Sequence, residues 1–315
     1  MNISKKNITV EDSIVARINN ASDTSNITGT DDDVITAKIE VSSTCNFRCT
    51  FCCYSKMDLD REKLMNVNDF KNVVNQLLKK YKNLKEIGLF YIGEPGFNPN
   101  LKEMYKYLKQ KNIYTYLTTN GSYIKNILEA VPWIDSLKVS WNYINELDFI
   151  NKTKQYKDVY YNIIENIEVL YQECHKSFKK LSISTVLDDN DPNEYLKTIK
   201  KHLVYDEHYF IPMQNHGGFL KDGKDGVVGT QLQQREPLPC WSLFKGVYVD
   251  ANFNIRPCCY AYSSTRSKVK FGKITKDNII ISEYEQNMKE QQLQGFIPDY
   301  CKNCLRNYQL ESKDQ

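Results

Sequence analysis

DVITAKIEVSSTCNFRCTFCC spans residues 33–53 and joins two patterns. Ile35, Ala37, Ile39 and Val41 alternate with polar neighbours, which is the period of a strand. Directly after that strand, Cys45, Cys49 and Cys52 stand in CxxxCxxC spacing. Downstream, strands and helices alternate. VNDFKNVVNQLLKKY (67–81) places Phe70, Val73, Val74, Leu77, Leu78 and Tyr81 on one helical face. KEIGLFYI (85–92) reads as a strand, and NPNLKEMYKYLKQK (98–111) as a helix with Leu101, Met104, Tyr105 and Leu108 inward. IYTYLTT, SLKVSWNY, LSISTVL and VYDEHYFIP read as further strands. SYIKNILEAV, the long YKDVYYNIIENIEVLYQECHK and DPNEYLKTIKKHL read as the helices between them. Six strand–helix alternations, the last without a clear helix, require a parallel sheet. One strand per helix fits an α/β partial (β/α)6 barrel of TIM type, whose loops after the strands build the site.

Residues 1–33 are polar and rich in Asn, Ser, Thr and Asp, which predicts a mobile tail before the barrel of residues 34–235. The stretch 212–235 is Gly-rich and reads as a linker or a loop over the site. After it KGVYVDANFNIRPC reads as a hairpin and NIIISEYEQNMKEQQLQ as a helix, so residues 236–315 form a small C-terminal domain of hairpin plus helix. The net charge of +3 is spread along the chain, against nucleic acid as a partner. No apolar run suits a membrane span and no signal peptide is read at the N-terminus. The expected compartment is the cytoplasm. Ten cysteines in that reducing setting point to metal binding or catalysis rather than disulfides.

Three thiolates on one short loop can hold three irons of a cubane and leave the fourth without a protein ligand. A structural zinc site wants four closed ligands, and the adjacent Cys52 and Cys53 would hardly reach one tetrahedral ion together. The spacing, with Phe51 before the third cysteine, resembles the radical S-adenosylmethionine (SAM) superfamily. In that family a 4Fe–4S cluster binds the amino and carboxylate groups of SAM at the open iron. The resemblance implies that Phe51 packs near the adenine. It also implies that Gly93 and Glu94 of IGEPG match the family's GGEP segment, with Ile92 in place of its first glycine. Asn120 falls in the family's TNG turn, and Ser140 matches a ribose-contacting serine. From residues alone, each of these has an ordinary reading: a Gly-Pro turn, a capped helix start, a strand serine.

Cys240, Cys258, Cys301 and Cys304 form a second set that closes a coordination shell, as zinc or as a fully ligated iron–sulfur cluster. The stretch PCWSLFKGVYVDANFNIRPCCYA…FGKI…CKNC resembles the SPASM/twitch extension of radical SAM enzymes, in the shorter twitch form. That resemblance implies an auxiliary 4Fe–4S cluster. One departure is Phe253, where the pattern has glycine five residues before Cys258. Cys53, Cys174 and Cys259 read as bystanders, while His175, His202 and His208 read as structural. His216, in QNHGGF between barrel and extension, is the candidate base or substrate ligand.

The resemblance to twitch-type, 2-deoxy-scyllo-inosamine dehydrogenase-like enzymes implies oxidation of an alcohol on a small-molecule substrate of sugar or cyclitol type. It also implies a flavodoxin- or ferredoxin-type electron donor. The alternative is a ribosomal peptide maturase forming a thioether, a cross-link or an epimer. A leader-binding domain of about 80 residues often accompanies such enzymes, and the short polar stretch before the barrel disfavours it. The third reading is a zinc-stabilised binding protein with no catalysis.

Overall fold

The computed structural model describes residues 26–56, 62–188, 190–212, 232–234, 239–258, 271–301 and 308–310. Six parallel strands come first: β1 (Thr36–Ile39), β2 (Glu86–Gly88), β3 (Tyr114–Thr119), β4 (Ser136–Ser140), β5 (Leu181–Leu187) and β6 (Glu207–Pro212), in spatial order 1-2-3-4-5-6. Helices α1 (Val67–Lys80), α2 (Leu101–Gln110), α3 (Lys125–Ala130), α4 (Glu146–Thr153), α5 (Lys157–Lys176) and α6 (Pro192–His202) fill the crossovers. After a short pair partner, β7 (Leu232–Gln234), come α7 (Trp241–Phe244), β8 (Gly246–Val249), β9 (Asn254–Arg256), β10 (Gly272–Ile274), β11 (Ile279–Ile281), α8 (Glu283–Leu293) and β12 (Tyr308–Leu310).

The helices form where the apolar stripes are. In α1 Asn66 caps the start by accepting from the Asp69 amide at 2.9 Å, and Phe70, Val73, Val74 and Leu77 are buried. In α2 the four expected residues, Leu101, Met104, Tyr105 and Leu108, are all buried. They pack on one face of the sheet, where Ala37, Ile39, Ile87, Leu117, Leu137, Val139 and Ile183 lie. The other face carries a different register row, Lys38–Gly88–Tyr116–Ser136. There Gly88 leaves room for the Tyr116 ring, which a Cβ would meet at 2.5 Å. The Tyr116 hydroxyl shares a hydrogen bond with Thr36 Oγ1 at 2.9 Å.

Three features depart from the sequence reading. Helix α4 lies where the pattern showed none; it has only eight residues and buries only Phe149 and Thr153, so no stripe marks it. NIII opens as strand β11 rather than as helix. The C-terminal hairpin β8–β9 is present, but β8 pairs in parallel with β1, and β9, β10 and β11 follow antiparallel. The extension therefore continues the barrel's own sheet into ten strands. Its β8–β9 turn also explains Phe253. Phe253 adopts φ +64°, the left-handed conformation a glycine takes freely, so the turn is kept without the glycine. Asp250 holds it by accepting from the Asn252 and Asn254 amides, each at 2.9 Å, and Arg256 Nε at 2.7 Å.

His208 on β6 shares the Ile183 face of the sheet and bonds Thr185 Oγ1 at 3.0 Å. Burial pushes its pKa down to about 4. Between an unfolded value near 6.5 and that folded value, the unfolded chain takes up a proton that the folded chain refuses, so stability falls as pH falls. Urea unfolding of wild type and His208→Gln should show the wild type losing about 2 kcal/mol more than the variant between pH 7 and pH 5. Parallel pH profiles would contradict the buried, neutral imidazole.

Candidate active site

The loop after β1 carries Cys45, Cys49 and Cys52, all half-buried, at the C-terminal edge of the parallel strands. Its shape comes from neighbours on both sides. Arg48 Nη1 donates to the carbonyls of Cys45 and Phe47, both at 2.8 Å, with its guanidinium over the Tyr54 ring. The Arg48 and Thr50 amides donate to Thr153 and Lys152 at the end of α4, each at 2.9 Å. The helix that the sequence reading missed is thus the loop's outer wall. Its Lys152 is itself fixed by Asp148 at 2.9 Å and Asp188 at 2.6 Å.

The three thiols feel one another. Burial pushes the Cys49 thiol well up, and Cys52 and Cys45 push it further. Burial, then Glu94 and Cys52, push Cys45 up to about 12. Cys53 is fully buried and donates to Cys52, which lowers the Cys52 value. A cluster of half-buried thiols that repel as thiolates is a donor set whose deprotonated form is favoured by a bound cation. Among the described residues, no three His, Cys, Asp or Glu side chains converge on the position of a single ion. Three thiolates spread over separate corners of a cubane need no such convergence.

Two turns close over this loop. The IGEPG turn follows β2, and its Gly93 lies under the β1 loop; a Cβ there would stand 2.2 Å from the Ser42 carbonyl oxygen. The Glu94 amide donates to Thr44 at 2.7 Å. The Glu94 carboxylate is buried and accepts from Thr119 Oγ1 at 2.6 Å, the Asn120 amide at 2.7 Å and the Gly96 amide at 3.0 Å. Burial pushes its pKa up to about 7 against those donors. Asn120, in the TTNG turn after β3, aims Nδ2 at Cys45 Sγ, 3.9 Å away, and at Asn46 Oδ1, 3.1 Å away. Ser140 ends β4 beside Ser184 of β5, half-buried. Phe51 is half-buried in the cysteine loop. The fold therefore brings the loops after β1, β2 and β3 together. Thr119 of the TTNG turn holds them with Asn46 and Arg48, which occupy unspecified positions of the cysteine motif and were not singled out in the sequence.

Of the second set, Cys240, Cys258 and Cys301 are half-buried, while Cys304, Cys259 and His216 lie outside the described residues. Gln292 of α8 connects two of them: its Oε1 accepts from the Cys240 amide at 2.6 Å, and its Nε2 lies 3.8 Å from Cys301 Sγ. The Cys258 carbonyl accepts from Tyr91 Oη at 2.8 Å, beside the IGEPG turn. Gln292 and Tyr91 are ordinary polar and aromatic residues in the sequence, without a spacing to single them out.

The sequence profile described as "Radical SAM superfamily" matches residues 39–202, just over half of the chain, and takes in the first cysteine set and both turns. The chain belongs to the radical SAM superfamily. The curated proteins it resembles are named for different activities. A protein of Methanocaldococcus jannaschii named as a glycyl-radical enzyme activating enzyme is 32% identical over 95 residues, 30% of this chain and 35% of that protein. The GTP 3′,8-cyclase of Tolumonas auensis is 26% identical over 179 residues, 52% of this chain and 49% of the cyclase. The chain thus spans about a third and about half of these curated relatives. Among solved structures, BtrN in complex with AdoMet and 2-DOIA has TM-score 0.54 and 16% identity, covering 86% of this chain and 92% of BtrN. Streptococcus suis SuiB bound to precursor peptide SuiA has TM-score 0.62 and 14% identity, covering 93% and 73%. Native anSMEcpe with bound AdoMet has TM-score 0.56 and 17% identity, covering 83% and 82%. These likenesses show the shared α/β fold. As a radical SAM protein, the chain has a family that implies a 4Fe–4S cluster and SAM. Among the described residues no helix is long and apolar enough to cross a membrane.

Gly93→Ala tests the close approach on which the IGEPG turn depends. The added methyl group forces the Ser42 backbone or the turn to move, which should cost about 1–3 kcal/mol in urea unfolding. An unchanged unfolding midpoint would mean that the turn does not lie under the β1 loop.

Proposed function

We propose that this chain is a radical SAM enzyme whose 4Fe–4S cluster is held by Cys45, Cys49 and Cys52 and which removes a hydrogen atom from a C–H bond of a small molecule of sugar or cyclitol type, oxidising an alcohol. The observation that carries the enzyme reading is the convergence of three half-buried, closely spaced thiols with the IGEPG and TTNG turns. When bound, the cluster and SAM supply a 5′-deoxyadenosyl radical through one-electron reductive cleavage of SAM. The chain's own residues do the rest. Glu94 uses its carboxylate to fix the two turns, and the amides of Gly93 and Glu94 donate to Glu40 and Thr44, which leaves backbone carbonyls of the turn as the groups proposed to meet the methionine end of SAM. Asn120 donates toward Cys45 Sγ, and such a hydrogen bond tunes a cluster's potential. Phe51 and Ser140 are proposed as adenine and ribose contacts, and His216 as the base or substrate ligand.

The second set, Cys240, Cys258, Cys301 and Cys304, is proposed as the closed shell of an auxiliary 4Fe–4S cluster in a twitch-type extension. Gln292, which joins Cys240 to Cys301, supports this. Oxidation of an alcohol needs an electron acceptor besides SAM, and this set is the place the chain offers for one. A flavodoxin- or ferredoxin-type protein is the proposed donor. The likeness to BtrN, which spans nearly all of that chain, supports the small-molecule substrate. The likeness to SuiB with its precursor peptide supports peptide modification as the second reading.

After anaerobic reconstitution the protein should hold about eight irons per chain. The triple change of Cys45, Cys49 and Cys52 to Ala should leave about half of that. With a strong reductant the wild type should form 5′-deoxyadenosine, and Cys49→Ala none. Equal yields would contradict the assignment of the three thiols.

Cys301→Ala, shown by circular dichroism to be native-like, should hold about four irons and still form 5′-deoxyadenosine. Eight irons in that variant, or a wild type with four irons and one zinc, would rule out the auxiliary cluster.

A further inference from the structure

Glu40 is a charged residue one position past β1, with only 3% of its surface exposed. Burying a carboxylate is costly unless its oxygens are hydrogen-bonded, so its partners identify its purpose. Oε1 accepts from the backbone amides of Ile92 at 3.2 Å and Gly93 at 3.3 Å, in the IGEPG turn. Oε2 accepts from the backbone amide of Ala251 at 2.9 Å, in the β8–β9 turn of the extension. The Glu40 amide completes the junction by donating to Val249 at 2.9 Å. All three of its side-chain partners are backbone N–H donors, and only a carboxylate presents acceptors on both of its ends. Burial, with a further push from Asp250, raises its pKa to about 7, so the ionised form is the majority above neutrality.

We infer that Glu40 is a positioning residue for SAM: it fixes the Ile92–Gly93 backbone of the SAM-side turn by tying it to the β8–β9 turn of the C-terminal extension. The inference rests on the reading of IGEPG as the turn that meets the methionine end of SAM. The tie also reaches the second cysteine set. Asp250 starts the β8–β9 turn and holds Arg256, two residues before Cys258, and Tyr91 next to Ile92 holds the Cys258 carbonyl. SAM-side turn and extension thus share one buried junction, so a change on the extension side of Glu40 is felt by the turn.

Glu40→Gln is the decisive variant, because it keeps size and shape. Its amide can accept at one end only, and its NH2 must face an N–H donor at the other. Hydrogen exchange of the reconstituted holoenzyme is followed over peptides covering 89–97 and 247–254, together with KM and kcat for SAM in 5′-deoxyadenosine formation. The inference expects faster exchange in at least one of these peptides and a rise of about tenfold in KM. It expects that rise to be several times larger than any change in kcat, at wild-type iron content. Unchanged exchange in both peptides would show that no clamp exists. Faster exchange with unchanged KM, or a loss confined to kcat and iron content, would show a clamp that does not position SAM. Either result overturns the inference. Absence of 5′-deoxyadenosine from the wild type would instead overturn the enzyme reading and the SAM role with it, and the exchange data would still decide the clamp.

Discussion

The site depends on one buried carboxylate. Glu94 sits in the turn after β2, donates its amide to the loop after β1 and accepts from the turn after β3. Loops at strand ends are free to wander unless something fixes their relative positions, and here Glu94 joins all three, through its amide to the loop after β1 and its carboxylate to the turn after β3. A charged group excluded from water is tolerated only when its hydrogen bonds are complete, so the same contacts that offset its burial define the geometry of the site. Everything nearby is arranged to keep it: the absent side chain at Gly93, the hydroxyl of Thr119 and the parallel register that sets β1, β2 and β3 side by side.

The division of labour across the sheet follows from that arrangement. The helix-covered face is aliphatic and supplies the core. The opposite face carries Lys38, Tyr116, Lys138 and Ser140, a half-buried polar surface. The extension adds its strands to the edge at β1, next to the strand that leads into the cysteine loop. The two cysteine sets are therefore joined through main-chain pairing and through Tyr91 and Glu40, without a flexible hinge between β1 and β8.

Much of this was legible in the sequence, and the reason is periodicity. Phe70, Val73, Val74 and Leu77, and the four inward residues of α2, mark helices because each stripe is long enough to repeat. The cysteine spacing, IGEPG and TTNG were legible because chemistry demands particular residues at fixed distances. What stayed hidden lacks both signals. Helix α4 is too short for a stripe. The segment 279–281 reads equally well as the start of a helix. Phe253 keeps a glycine's conformation without being glycine, which only the backbone reveals. Glu40 and Gln292 act through contacts with residues far away in the chain. A glutamate in the polar phase of an alternating strand looks like a solvated side chain until the opposite turn is seen to cover it.

The proposed ligation by Cys45, Cys49 and Cys52 leaves one iron of the cubane to SAM. 57Fe Mössbauer spectroscopy of the reconstituted protein, recorded with and without SAM, addresses that iron directly. SAM should change the parameters of one iron in about eight and leave the others unaltered. A spectrum indifferent to SAM, with every iron in an equivalent closed shell, would contradict that ligation.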